Sequence, residues 1–236
     1  YPDWKWAAYE AGAELYKKND QSQNKWSTRA LAQTVAQSNP HEAIVYALAQ
    51  HSGEVDIALL NGALTEYAKT NPLEAKTLLI ENQKHAENFT VDVVMDRLLV
   101  NGNYSDAYGL VSSLTDKKLI QSAVSSAASK LYVYGDDKVI EFVSTITDAE
   151  LKVTAVGSAV ASMAVNGYSV DKQLEIMDVG LQGVPSKEKI GTYAWVLKSG
   201  YKNDPLALKG QLEKMKSNNK EFALEVEKVL GHMQDI

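Results

Sequence analysis

The chain has 236 residues, of which 45% are hydrophobic and 23% charged, with a net charge of −6 and a pI near 5.3. That composition is too apolar for a disordered segment. It is also too acidic for a nucleic-acid or anionic-membrane partner, either of which needs a concentrated basic face. Cysteine is absent, which excludes disulfides, thiol nucleophiles and cysteine zinc sites. No apolar run reaches the length of a membrane helix.

Residues 3–18 are expected to form a helix, because Trp6, Tyr9, Ala13 and Tyr16 recur on one helical face. Trp4 and Trp26 lie nearby in sequence. These aromatics can cap the open end of a helical stack or form an aromatic ligand or partner site. A polar hinge (19–24) precedes a second helix over 27–37, which stops at Ser38-Asn39-Pro40. Asn at an N-cap followed by Pro opens a third helix, carrying Ala43, Val45, Ala47 and Leu48 and ending at Ser52-Gly53. A fourth runs over 54–69.

Asn71-Pro72-Leu73-Glu74-Ala75 then repeats the pattern of Asn39-Pro40-His41-Glu42-Ala43. The same step along the chain reaches Asn103 and Ala107 and then Val139, followed after slightly longer intervals by Leu174 and Ala207. These positions are expected to anchor successive short helices through apolar contacts. Partner helices are predicted over 91–100, 116–134, 148–166, 187–199 and 220–233. Thr115-Asp116 and Thr147-Asp148 mark two of their starts, with a Thr147/Glu150 capping box and Ser186 as a further N-cap. The 180–185 passage reads as a loop insertion.

Glycines punctuate the helix ends at nearly equal intervals, at Gly102, Gly135, Gly167 and Gly200. A recurrence of this size, in the range of helical-repeat periods, marks stacked helical hairpins. The expected fold is all-α, a right-handed α-α superhelix of about seven hairpins in one domain over 1–236. The hairpins fall at 1–38, 39–70, 71–102, 103–135, 136–168, 169–202 and 203–236.

Gly102-Asn103-Tyr104-Ser105-Asp106-Ala107, followed by Val111 and Leu114, resembles the tetratricopeptide repeat pattern G-x-Y-x-x-A. Elsewhere the chain departs from that pattern. Val139 and Leu174 replace the alanine, and Asp137 takes the place of the tyrosine after Gly135. The resemblance implies a helical-repeat solenoid whose concave face binds a protein or peptide.

Signatures of catalysis are sparse. His41, His51, His85 and His232 are dispersed, without H-E-x-x-H spacing, and no G-x-S-x-G elbow, P-loop or dinucleotide fingerprint occurs. Ser186-Lys187-Glu188-Lys189 matches S-x-x-K, but so short a pattern arises easily by chance and Ser186 is better explained as a helix cap. No catalytic, cofactor or metal residue is assigned, and the chain is read as a non-enzymatic scaffold without a cofactor. The candidate binding residues are Ser122, Ser126 and Lys130 on one helix and, one repeat further on, Thr154, Ser158 and Ser162 on its equivalent. They could floor a polar groove, or could simply pack helices closely while bonding their own i−4 carbonyls. The alternative function is a helical accessory domain of a larger exported, cell-wall- or carbohydrate-active protein. A chain starting at Tyr1 rather than Met is expected to have lost a signal peptide or upstream sequence, and the lack of cysteine suits a bacterial periplasmic or secreted protein.

Overall fold

The computed structural model describes residues 3–19, 24–49 and 53–234. Most of the polar hinge, His51, Ser52 and the side chains of Trp4, Tyr16 and Trp26 lie outside the described residues. The regular structure within them is entirely helical. Fourteen α-helices pack in sequential pairs: α1 (Asp3–Asn19) with α2 (Asn24–Ala36), α3 (Pro40–Leu48) with α4 (Ile57–Ala68), and α5 (Pro72–Glu81) with α6 (Asn88–Val100). The next pairs are α7 (Tyr104–Ser113) with α8 (Lys117–Leu131) and α9 (Asp136–Thr145) with α10 (Ala149–Val165). The last are α11 (Val170–Gly180) with α12 (Ser186–Gly200) and α13 (Pro205–Asn218) with α14 (Lys220–Gln234). Short 3-10 turns follow α5 and α8, at Gln83–His85 and Tyr132–Tyr134.

Local chemistry explains most of the helix starts. Asn39 accepts a hydrogen bond from the Glu42 amide, with Pro40 as the first helical residue. Pro72 starts α5 in the same way, but the Asn71 side chain gives no capping bond. Capping of α8 and α10 falls to the aspartates rather than the threonines. Asp116 accepts from the Lys118 and Leu119 amides, and Asp148 from Leu151, so the expected Thr147/Glu150 box is displaced by one residue. A carboxylate accepts an amide proton more strongly than a hydroxyl does, and it also suits the positive end of the helix dipole. Ser186 likewise is not a cap: Pro185 holds that position and Ser186 is the first residue of α12.

The periodic glycines meet two different demands. Gly102 (φ 75°) closes α6 in a Schellman motif, donating to the Leu99 carbonyl while Asn103 donates to Leu98; Gly167 closes α10 in the same way. Gly200 shares the spacing but is needed for closeness, because a Cβ there would lie 2.0 Å from Val170 Cγ2.

Helix contacts divide the chain into two compact units, Tyr1–Ala123 and Val124–Ile236, with the division inside α8. In the first unit α2, α4 and α6 pack in succession, and α5 lies against α7. Close approach is built in: Gly62 on α4 faces Ala32 and the backbone of Gln33 on α2, with room for nothing larger. The repeat anchors Ala43, Ala75 and Ala107 are fully buried, each at the same point of its pair. Trp6, Tyr9 and Ala13 bury one face of α1, and Trp6 stacks on Tyr46 with centroids 4.3 Å apart. Tyr9 donates to Asp56, which also caps α4 through the Leu59 amide. Burial, followed by the Asp56 carboxylate, pushes the Tyr9 phenol well above its usual range; the same causes, with Glu10 as partner, push Tyr46 up to about 12.

A polar hub sits in the core of this unit. Asn61 is 1% exposed and uses its full hydrogen-bonding capacity. Its amide nitrogen donates to the carbonyls of Ile57 and His85, and its oxygen accepts from the Glu87 amide and the Thr90 hydroxyl. One side chain of α4 thereby fixes the turn and start of α6. Arg29 reinforces the same corner through an ion pair with Glu87.

In the second unit α10, α12 and α14 pack in succession, and α9 lies against α11. Val139, Phe142, Val156, Val160, Met177 and Leu197 form much of its core. Gly180 allows α11 onto α10, because a Cβ there would stand 2.8 Å from Val156 Cγ2. Lys172 ties the starts of α9 and α11 together, reaching Asp136 at 2.5 Å and Glu175 at 3.0 Å. Lys216 bonds Glu213 on its own helix and Glu227 on α14.

Candidate functional site

The serine and threonine register predicted as a groove floor lies along α8 and α10, largely half-buried. Ser122 is half-buried and donates to Asp92 on α6 at 2.8 Å. Ser126 is 9% exposed, and Lys130 is half-buried at the end of α8. The Thr154 hydroxyl donates to the Glu150 carbonyl of its own helix, at the i−4 spacing. Ser158 and Ser162 are half-buried on α10, and the Ser162 carbonyl receives the Asn166 side chain that closes the helix.

A surface depression opens one residue further round α10. Val153, Gly157 and Ala161 recur at four-residue steps and so share one face. Opposite them α12 presents Glu188, Gly191 with Thr192, and Trp195. Near the helix starts these residues border a hollow of about 430 Å³ between Val153, Ala149 and three carboxylates: Asp148, Glu150 and Glu188. One turn along both helices, Gly157, Ala161, Gly191, Thr192 and Trp195 line a second hollow of about 270 Å³. From Ala149 to Ala161 the seam extends roughly 18 Å.

The two glycines of this seam differ from the packing glycines. A Cβ on Gly157 would meet Thr192 Cγ2 at 3.8 Å, an ordinary contact, and one on Gly191 would meet nothing within 4 Å. Glycine inside a helix costs about 1 kcal/mol relative to alanine, so each forgoes stability that packing does not require it to forgo. What the pair provides is a low floor. Trp195, 40% exposed, stands at its edge as a large apolar surface turned to solvent. The carboxylates at the other end serve their helix starts and make that mouth of the seam negative.

Chemically the seam offers an apolar shelf, an aromatic wall and an acidic mouth in line. Among the described residues no group of three or more His, Asp or Glu side chains is placed to hold a metal ion, and no helix is long and apolar enough to cross a membrane. Spacing alone did not single out Gly157, Gly191 or Trp195. The sequence does not separate Gly157 and Gly191 from other helix-interior glycines such as Gly109, Gly210 and Gly231; the position of Trp195 beside them is what the fold adds.

Fold and site together define an all-helical protein of sequentially paired helices with a grooved surface. No protein-family model matches the chain, and no significant match is found among curated proteins or solved structures.

Proposed function

We propose that the protein is a non-enzymatic helical-repeat scaffold of the α-solenoid class, resembling the tetratricopeptide fold, that binds a protein or peptide segment along the α10–α12 seam. The observation that carries this reading is the half-exposed Trp195 beside the low floor of Gly157 and Gly191, in line with the carboxylates of Asp148, Glu150 and Glu188. The regular recurrence of the Asn-Pro and glycine positions and the succession of α10, α12 and α14 support the repeat reading. The segment that fits is apolar or aromatic at one position, to cover Gly157 and Gly191 against Trp195. It carries a lysine or arginine at the end that meets Asp148, Glu150 and Glu188.

Selection from a random peptide display library tests the proposal. Recovered peptides should pair a basic residue with an aromatic or large aliphatic one. Their binding should drop at least about tenfold when Gly157→Leu or Gly191→Leu fills the floor, a loss of about 1.4 kcal/mol. Peptides with no such pattern, or binding indifferent to both substitutions and to Trp195→Ala, would overturn the assignment.

A further inference from the structure

Helices α11, α12, α13 and α14 enclose a second, separate cleft of about 360 Å³. That volume suits a small organic molecule. The Ser186-x-x-Lys189 spacing places both residues on this cleft, with Tyr193 one turn beyond. Tyr193 is already committed: its hydroxyl donates to Asp178 at 2.5 Å, and its ring meets Phe222 edge-on at 5.0 Å. This bond holds the Asp178 carboxylate at the wall, where it keeps its negative charge. Among the described residues lining the cleft, Lys189 is the one cation. Its ammonium donates to the Leu181 carbonyl at 3.3 Å and lies 5.6 Å from the Phe222 ring, and it carries three donors. The remaining wall combines side-chain amides, Gln211 and Asn218, with the apolar surfaces of Met215 and Phe222.

We infer that this cleft binds a monocarboxylate attached to an apolar or aromatic body, with the carboxylate on Lys189 and the body against Met215 and Phe222. One ammonium supplemented by neutral amide donors can pair a single negative charge, with Asp178 held on Tyr193 and Lys189 on the Leu181 carbonyl. A phosphate monoester, near −2, would call for a second cation. The same chemistry is presented by a free N-acyl amino acid and by the C-terminus of a peptide.

Titration with N-acetylphenylalanine, N-acetylphenylalaninamide and a tetrapeptide ending in phenylalanine, followed by calorimetry and by the Met215 methyl resonance, tests the inference. The acid should bind saturably and shift the Met215 signal, whereas the amide should bind at least about tenfold more weakly. Tighter binding of the tetrapeptide identifies a chain terminus as the natural ligand, and tighter binding of the acetylated residue identifies a free metabolite. Lys189→Met should abolish binding of the acid and Lys189→Arg should retain it. Equal binding of acid and amide, no saturation by either acid, or a wild-type titration that leaves Met215 unmoved would overturn the inference, whatever the stability of the variants.

Discussion

Replacing Asn61 with alanine removes four hydrogen bonds from a site that is 1% exposed. The Ile57 carbonyl remains within its helix, but the His85 carbonyl, Glu87 amide and Thr90 hydroxyl each lose a partner. An unsatisfied buried group costs about 1–3 kcal/mol, and partial relief by rotation of Thr90 or entry of a water brings the expected loss to about 3–5 kcal/mol. That is a large share of a typical domain's stability. Urea denaturation followed by circular dichroism measures the loss, and hydrogen exchange at the Glu87 amide locates it. Asn61→Asp sharpens the test. Its carboxylate could keep the Glu87 and Thr90 bonds, but its second oxygen would face the Ile57 and His85 carbonyls. The folded state would then favour the protonated acid, raising its pKa above the unfolded value of about 3.9. The variant should approach wild-type stability below about pH 4 and fall away from it as the pH rises. A cost under about 1 kcal/mol for the alanine variant, continued protection of Glu87, or a pH-independent aspartate variant would refute this reasoning.

Gly62→Ala sets helix propensity against packing. The gain of about 1 kcal/mol is opposed by contacts at 2.9–3.1 Å to Ala32 and the Gln33 backbone, so the variant should be destabilised by about 1–2 kcal/mol. Gly109→Ala in the same unit, which meets only the far end of Lys76, should be neutral or stabilised; equal denaturation midpoints for the two variants would discount the contact. Tyr9→Phe should cost about 1–2 kcal/mol near neutral pH through loss of the Asp56 bond. Because the folded Tyr9 pKa is raised, its contribution is complete below the unfolded value of about 10 and declines above it, by up to about 1.4 kcal/mol per pH unit. The phenylalanine variant should show a correspondingly shallower alkaline loss in pH-resolved denaturation, and an unchanged slope would count against the pairing. Gly191→Ala should raise thermal stability by up to about 1 kcal/mol while weakening peptides selected on the seam; a change in both properties in the same direction would separate the glycine from binding.

Helix positions and anchors were readable because each rests on local chemistry. Asn39-Pro40 starts α3 as its sequence dictates, and Ala43, Ala75, Ala107 and Val139 all enter the core. Thr147 and Asp148 are both of types that cap helices, and only the entry of the chain decides which one reaches the amide. Gly200 shares its spacing with Gly102, although the reason for it lies at the opposite end of its helix pair, at Val170. The candidate seam lies beside the predicted register for a related reason. A step of one residue turns a helix by about 100°, so Thr154 and Ser158 lie on the neighbouring flank to Val153 and Gly157. Periodicity supplies the spacing of a face but not which face a neighbouring helix leaves open.

The helix partnerships within each unit, such as α2 with α4 or α12 with α14, join elements only one or two steps apart along the chain. Each contact therefore closes a short loop, and the entropy lost grows only with the logarithm of its length. Native structure in each unit can accumulate from neighbouring segments without waiting for distant ends to meet, which places the protein among rapidly folding topologies. During synthesis, the early helices of a unit can find their partners before its last ones have left the ribosome.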